Sequence, residues 1–113
     1  LRYLSALQYM DTMVGNSSSG LAEAPSFKTG TINIGDRQKG RIKADSVIDC
    51  FPDKASIKNA FKVLYSKEFQ SVIKTSKNPY GDACASKKII KVLKTVQLDD
   101  ILKKEFFDIR FSL

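Results

Sequence analysis

The sequence contains no histidine, and its 113 residues include only two cysteines, Cys50 and Cys84, which lie far apart. A Ser-His or Cys-His catalytic pair therefore cannot be built within this chain. Metal ligation of the usual Cys/His kind has no ligand set, and we expect neither a metal nor another cofactor. Both cysteines read by default as free structural thiols. Cys50 closes an apolar run and is expected to be buried, whereas Cys84 follows Asp82-Ala83 near a helix start, where a thiol can be somewhat activated. Nothing resembles a signal peptide or a membrane span, so we expect a cytoplasmic protein with no membrane partner. Internal repeats, low-complexity tracts and linkers are also lacking.

What remains is the material of one ordinary domain, expected over 1–113. Its hydrophobic content is 42%, enough for a core with little margin at this size. Lysine and arginine number 19 against 12 acids, for a net charge of +7. Such a balance attracts polyanions or a phosphorylated ligand. The positive charge recurs from Lys28 to Arg110 with acids interspersed, and no aromatic-and-basic cluster appears. Solvated helix faces explain most of it, and no nucleic-acid partner is expected.

Leu1, Leu4 and Leu7 with Ala6 give an apolar face at helical spacing over Leu1 to Tyr9. The chain opens on Leu, inside that pattern, from which we expect a fragment of a longer protein. Strands are expected at Thr12 to Gly15, Thr31 to Ile34 and Ser46 to Cys50. A helix is expected over Ser18 to Ser26, stopped near Pro25, with Gly30 making the turn into the second strand. Ile57, Ala60, Phe61 and Leu64 mark an amphipathic helix from Ser56, its N-cap, to Tyr65. Further helices follow at Lys67 to Lys74, Ala85 to Thr95 and Asp99 to Phe106, with an Asn78-Pro-Tyr-Gly-Asp82 turn between. Strands alternating with helices indicate an α/β domain with a short parallel sheet.

The chemistry centres on Met13-Val-Gly-Asn-Ser-Ser-Ser-Gly20. A strand, a Ser/Gly turn and a helix start present unpaired N–H groups to an anion, and small residues let a phosphate approach. Three serines before a helix also fit a plain N-cap. In a parallel sheet, ligands bind at the carboxyl ends of strands. The loops Asn16–Gly20 and Gly35–Arg41 both leave that edge, where Ser17, Ser18, Glu23 and Arg37 are expected to converge. Lys39 and Arg41 read as surface charges, Asp36 and Asp82 as turn residues, and Tyr80, Phe106 and Phe107 as packing groups.

At these residues the sequence closely resembles the UDP-N-acetylglucosamine 2-epimerase family. The resemblance rests on Gly15-Asn-Ser-Ser-Ser-Gly20, Glu23-Ala-Pro-Ser-Phe27, Thr31-Ile-Asn-Ile-Gly-Asp-Arg-Gln-Lys-Gly-Arg41 and Asn78-Pro-Tyr-Gly-Asp82. It is strongest to the hydrolysing branch, which makes N-acetylmannosamine for sialic acid; related members act on bacillosamine-type sugars. It runs along essentially the whole chain.

The resemblance implies a partial Rossmann-like domain, the C-terminal half of the second domain of a glycosyltransferase B-type fold. Family members are about three times longer, by the usual two-domain size. Ser17 and Ser18 match the diphosphate-binding serines, Glu23 the acid that holds the ribose hydroxyls, and Arg37 the arginine near the phosphates. Asn16, Ser19, Gly20 and Gln38 are neighbouring candidates for UDP contact.

The implied reaction eliminates UDP from C1 with loss of the C2 proton, after which water adds to the glycal to give the 2-epimer. This segment would stabilise the departing diphosphate. The general acids and bases would lie in the missing N-terminal domain, so no catalytic residue is assigned here and the chain alone is expected to be inactive. The alternatives are a nucleotide-sugar-binding module without chemistry, or an epimerase acting on a bacillosamine-type UDP-sugar.

Two positions depart from the family pattern: Gly30 stands where Pro is frequent, and Ala83 where Gly is frequent. Gly30 is expected to loosen the start of the second strand. The first strand would lack a neighbour, so self-association into a homodimer is expected through that edge or through exposed apolar helix faces, with a light-scattering mass above one chain as its sign.

Overall fold

The computed structural model describes residues 2–81, 84–99 and 102. The chain divides into two compact units, Leu1–Asp82 and Ala83–Leu113. The first holds a parallel sheet of three strands, β1 (Thr12–Gly15), β2 (Gly30–Ile34) and β3 (Val47–Cys50), in the spatial order β1-β2-β3. Thr12 pairs with Gly30 and Gly15 with Asn33, while Thr31 pairs with Val47 and Ile34 with Cys50. Around it lie α1 (Arg2–Leu7), α2 (Ser19–Ala22), a 3₁₀ turn (Ala24–Phe27), α3 (Lys54–Leu64) and α4 (Lys67–Thr75). The second unit contains α5 (Ala85–Thr95), with the bounds its sequence pattern predicts. The expected helix over Asp99 to Phe106 lies outside the described residues except at Asp99 and Leu102, as do Asp82, Ala83, Phe106 and Phe107.

β2 is the centre of the first unit. Successive strand residues face opposite sides, and here both sides are covered. Ile32 joins Ala60, Leu64 and Ile73 in the buried core, with Ile34, Ile48, Phe61 and Phe69 packed around it. On the other side, Thr31 Oγ1 donates to the Gly20 carbonyl at 2.8 Å, fixing α2 against the sheet. Hence Gly30 to Asn33 are all buried, as expected of a central parallel strand.

Several local expectations are corrected. The helix over Ser18 to Ser26 is one α-turn followed by a 3₁₀ turn, with Pro25 in the first turn of the latter. Proline has no N–H to continue an α-helix but its φ suits a helix start, so Pro25 opens the second turn rather than stopping the first. The turn toward β2 is made by Lys28, at φ 55°, instead of Gly30; its ammonium donates to the Ser76 carbonyl at 2.5 Å. Gly30 is the first residue of β2, and a Cβ there would lie 2.7 Å from Leu64 Cδ1 and 2.9 Å from Ile73 Cδ1. It lets the helices approach closely instead of loosening the strand.

The third helix begins at Lys54, capped by Asp53 rather than Ser56. Asp53 Oδ1 accepts from the Ser56 N–H at 2.8 Å and Oδ2 from its hydroxyl at 2.6 Å. Aspartate is the stronger cap here because one carboxylate serves both donors. Along α1 only Leu7 is buried, and Leu4 remains exposed.

Candidate functional site

Because the strands are parallel, the loops after β1, β2 and β3 leave the sheet at one edge. Gly35, at φ +80°, turns the chain out of β2. The following loop is tied back to the first one by Gln38. Its side chain is buried, and Nε2 donates to the Asn16 carbonyl at 2.7 Å. That bond brings the serine turn and the arginine loop together.

Ser17 and Ser18 are exposed in the serine turn. Ser18 occupies the N-cap position of α2 without a side-chain cap bond, and Ser17 Oγ accepts only a long 3.3 Å bond from the Ser19 N–H. Among the described residues, nothing accepts from the N–H groups of Ser17 or Ser18, and Arg37 forms no ion pair. Two amide donors and a guanidinium are thus left for an anion. A four-residue α2 supplies little helix dipole, so any anion here depends on these individual donors.

Glu23 follows α2 and is half-buried, its Oε2 accepting from the Ser19 hydroxyl. The Ser19 oxygen in turn meets the Tyr3 hydroxyl of α1. Gly20 is buried against the sheet, where an added Cβ would lie 2.5 Å from Thr31 Cγ2. The room it provides is for the strand.

Two supporting residues escape a reading by residue type. Asn78 Nδ2 donates to the Ala22 carbonyl at 2.8 Å and to Ser26 Oγ at 2.6 Å, holding the end of α2. The Tyr80 hydroxyl donates to the Ile42 carbonyl at 2.9 Å, holding the loop between β2 and β3. Tyr80 is 51% exposed, so it acts as a strut and not as the packing group expected. The Asn-Pro-Tyr-Gly turn was the available signal, but its partners lie 38 to 56 residues away in sequence.

A cavity of about 510 Å³ opens beside α3, floored by Ile48, Ala60 and Val63 and rimmed by Asp36 and Asp49. It includes none of Ser17, Ser18, Glu23 or Arg37. Partial burial pushes the Asp49 carboxyl up, but hydrogen bonds from Lys43 and Asn33, with the Lys43 charge, outweigh it and hold the group below its ordinary value. Burial, then the charges of Asp53 and Asp49, raise the Cys50 thiol. Cys50 is half-buried and Cys84 exposed, so burial of Cys50 is less complete than its apolar run suggests. The Ser56 hydroxyl and then its N–H lower the Asp53 carboxyl. Among the described residues there is no metal-ligating cluster, and no helix is long and apolar enough to cross a membrane.

A parallel sheet covered on both faces, with two joined loops at its carboxyl edge, defines a partial Rossmann-like α/β unit. The model for the UDP-N-acetylglucosamine 2-epimerase family matches residues 1–94, and the chain belongs to that family.

Relatives include the polysialic acid biosynthesis protein P7 of Escherichia coli, 41% identical over 113 residues, covering 95% of this chain and 28% of the relative. The GDP/UDP-N,N'-diacetylbacillosamine 2-epimerase (hydrolyzing) of Campylobacter jejuni is 49% identical over 109 residues, covering 96% of this chain and 28% of the relative. The UDP-N,N'-diacetylbacillosamine 2-epimerase (hydrolyzing) of Legionella pneumophila is 38% identical over 103 residues, covering 90% and 26%. The chain thus spans little more than a quarter of their length.

Proposed function

We propose that this chain is the UDP-binding part of a hydrolysing UDP-N-acetylglucosamine 2-epimerase, which converts UDP-N-acetylglucosamine to N-acetylmannosamine and UDP. The observation that carries the reading is the Gln38–Asn16 bond, which joins the serine turn to the Arg37 loop. Ser17 and Ser18 hold the diphosphate through hydroxyl and N–H groups, and Arg37 neutralises it. Their role is to stabilise charge on the leaving UDP as the C1–O bond breaks. Glu23 accepts from the ribose hydroxyls. Asn16, Gly20 and Gln38 serve by holding the loops in place. The net charge of +7 favours approach of the doubly anionic ligand.

The sugar is a second question. Two of the relatives bear names of bacillosamine-type 2-epimerases, which favours such a UDP-sugar as the alternative substrate.

Catalytic acids and bases belong to a further segment, the N-terminal domain of the longer relatives. Ile89, Ile90, Val92 and Leu93 stand exposed on α5, and an apolar stripe of this kind suits a protein contact. Among the described residues β1 has β2 as its sole neighbour in the sheet, and its other edge is a second surface for association.

The chain alone is expected to release no UDP from UDP-N-acetylglucosamine. Mixed with a separately expressed N-terminal segment of a relative, it is expected to do so, measured by coupled UDP detection. Release by the chain alone would contradict the division of labour. UDP binding without complementation would favour the non-catalytic module.

A further inference from the structure

We infer that Ser19 and Tyr3 are positioning residues that aim Glu23, and that they set a preference for ribonucleotide over deoxyribonucleotide ligands. The inference rests on the UDP reading above and extends it to two residues with no assigned role in aiming that carboxylate. Its basis is a hydrogen-bond chain across three elements. The Ser19 hydroxyl donates to Glu23 Oε2. A hydroxyl has one hydrogen, so the remaining contact between Tyr3 and Ser19 has the tyrosine as donor. Met13 Sδ lies 3.2 Å from the same tyrosine oxygen, as a weaker second acceptor on β1. The chain therefore runs from Tyr3 through Ser19 to the Glu23 carboxylate.

This arrangement has two consequences. An ionised carboxylate only accepts, and its second oxygen has no partner among the described residues. Oε1 is then left for a donor such as a ribose hydroxyl. A free glutamate would have to lose its rotamer freedom on binding, and its charge could swing toward the phosphates. Ser19 lies four residues before Glu23, the spacing that places two side chains on one helix face, and its bond fixes the carboxylate beforehand. Ser19 is thereby saturated, unlike Ser17 and Ser18, and serves the site through Glu23.

The test is calorimetric titration of the whole chain with UDP and with 2′-deoxy-UDP, for wild type, Ser19→Ala, Tyr3→Phe and Ser19→Thr. A charge-assisted bond to the 2′-hydroxyl gives wild type a preference of about tenfold or more for UDP. Ser19→Ala reduces that preference to within about twofold. Tyr3→Phe shifts it the same way by less, and Ser19→Thr retains it. General damage to the fold would weaken both ligands alike and leave the ratio unchanged. An unchanged ratio in both Ser19→Ala and Tyr3→Phe overturns the positioning role while leaving UDP binding intact. Loss of the preference in Ser19→Thr overturns it as well. A wild-type chain that binds both nucleotides equally overturns this inference, and one that binds no UDP overturns the UDP reading and this inference with it.

Discussion

Leu64→Ala is expected to destabilise the chain by about 3 kcal/mol, the range for emptying a buried leucine site. Leu64 is fully buried and shares the core with Ile32, Ala60 and Ile73. Two things make collapse around the gap difficult. One wall is β2 backbone at Gly30, which has no side chain to move in. The other is Ile32, pinned in the centre of a paired strand. Against a typical total of about 5–15 kcal/mol, the loss is large and should lower Tm by roughly 10–20 °C. Urea unfolding followed by circular dichroism measures it. A loss under about 1 kcal/mol would mean that this cluster is not the core. Gly30→Ala should be milder in the Leu64→Ala background, because Leu64 Cδ1 is one of the two atoms that the new methyl would meet.

Gly20→Ala is expected to destabilise by about 1–3 kcal/mol through overpacking, although helix propensity alone favours alanine by about 1 kcal/mol. The steric term wins because of what the methyl meets. Thr31 Cγ2 would be 2.5 Å away and Thr31 Oγ1 3.2 Å away. Threonine is branched at Cβ and has few rotamers to escape into, and this one is buried with its hydroxyl committed to Gly20. The helix must therefore lift from β2, carrying Ser17 to Ser19 with it. UDP affinity should fall together with stability. Thr31→Ser removes the offending methyl and keeps the hydroxyl, so the double substitution should recover most of both. A Gly20→Ala chain more stable than wild type would show that α2 does not pack as described.

The parallel sheet was legible because its strands are short β-branched runs bounded by glycine and polar turns, such as Thr31-Ile-Asn-Ile34. The amphipathic stripe of Ile89, Ile90, Val92 and Leu93 fixed the bounds of α5. Less legible were features decided by contacts distant in sequence. Gly30 looks like a turn glycine until Leu64 and Ile73 are seen against it. Asp53 and Ser56 both suit an N-cap, and the two bonds Asp53 accepts decide between them. Within the candidate site, the rule that ligands bind at the carboxyl ends of parallel strands leads to the expectation that Ser17, Ser18, Glu23 and Arg37 converge, but periodicity carries nothing about side-chain pairing. The Gln38–Asn16 bond, the Tyr3–Ser19–Glu23 chain and the Asn78 and Tyr80 struts therefore emerge only in three dimensions.

The most direct measurement is a calorimetric titration of the whole chain with UDP, beside Ser18→Ala/Glu23→Ala. Neither of these side chains is in the buried core, so the double variant should remain folded. Binding by wild type, abolished in the double variant, is the result expected of a diphosphate and ribose half-site. No binding at millimolar UDP, or binding that survives the double substitution, would contradict it.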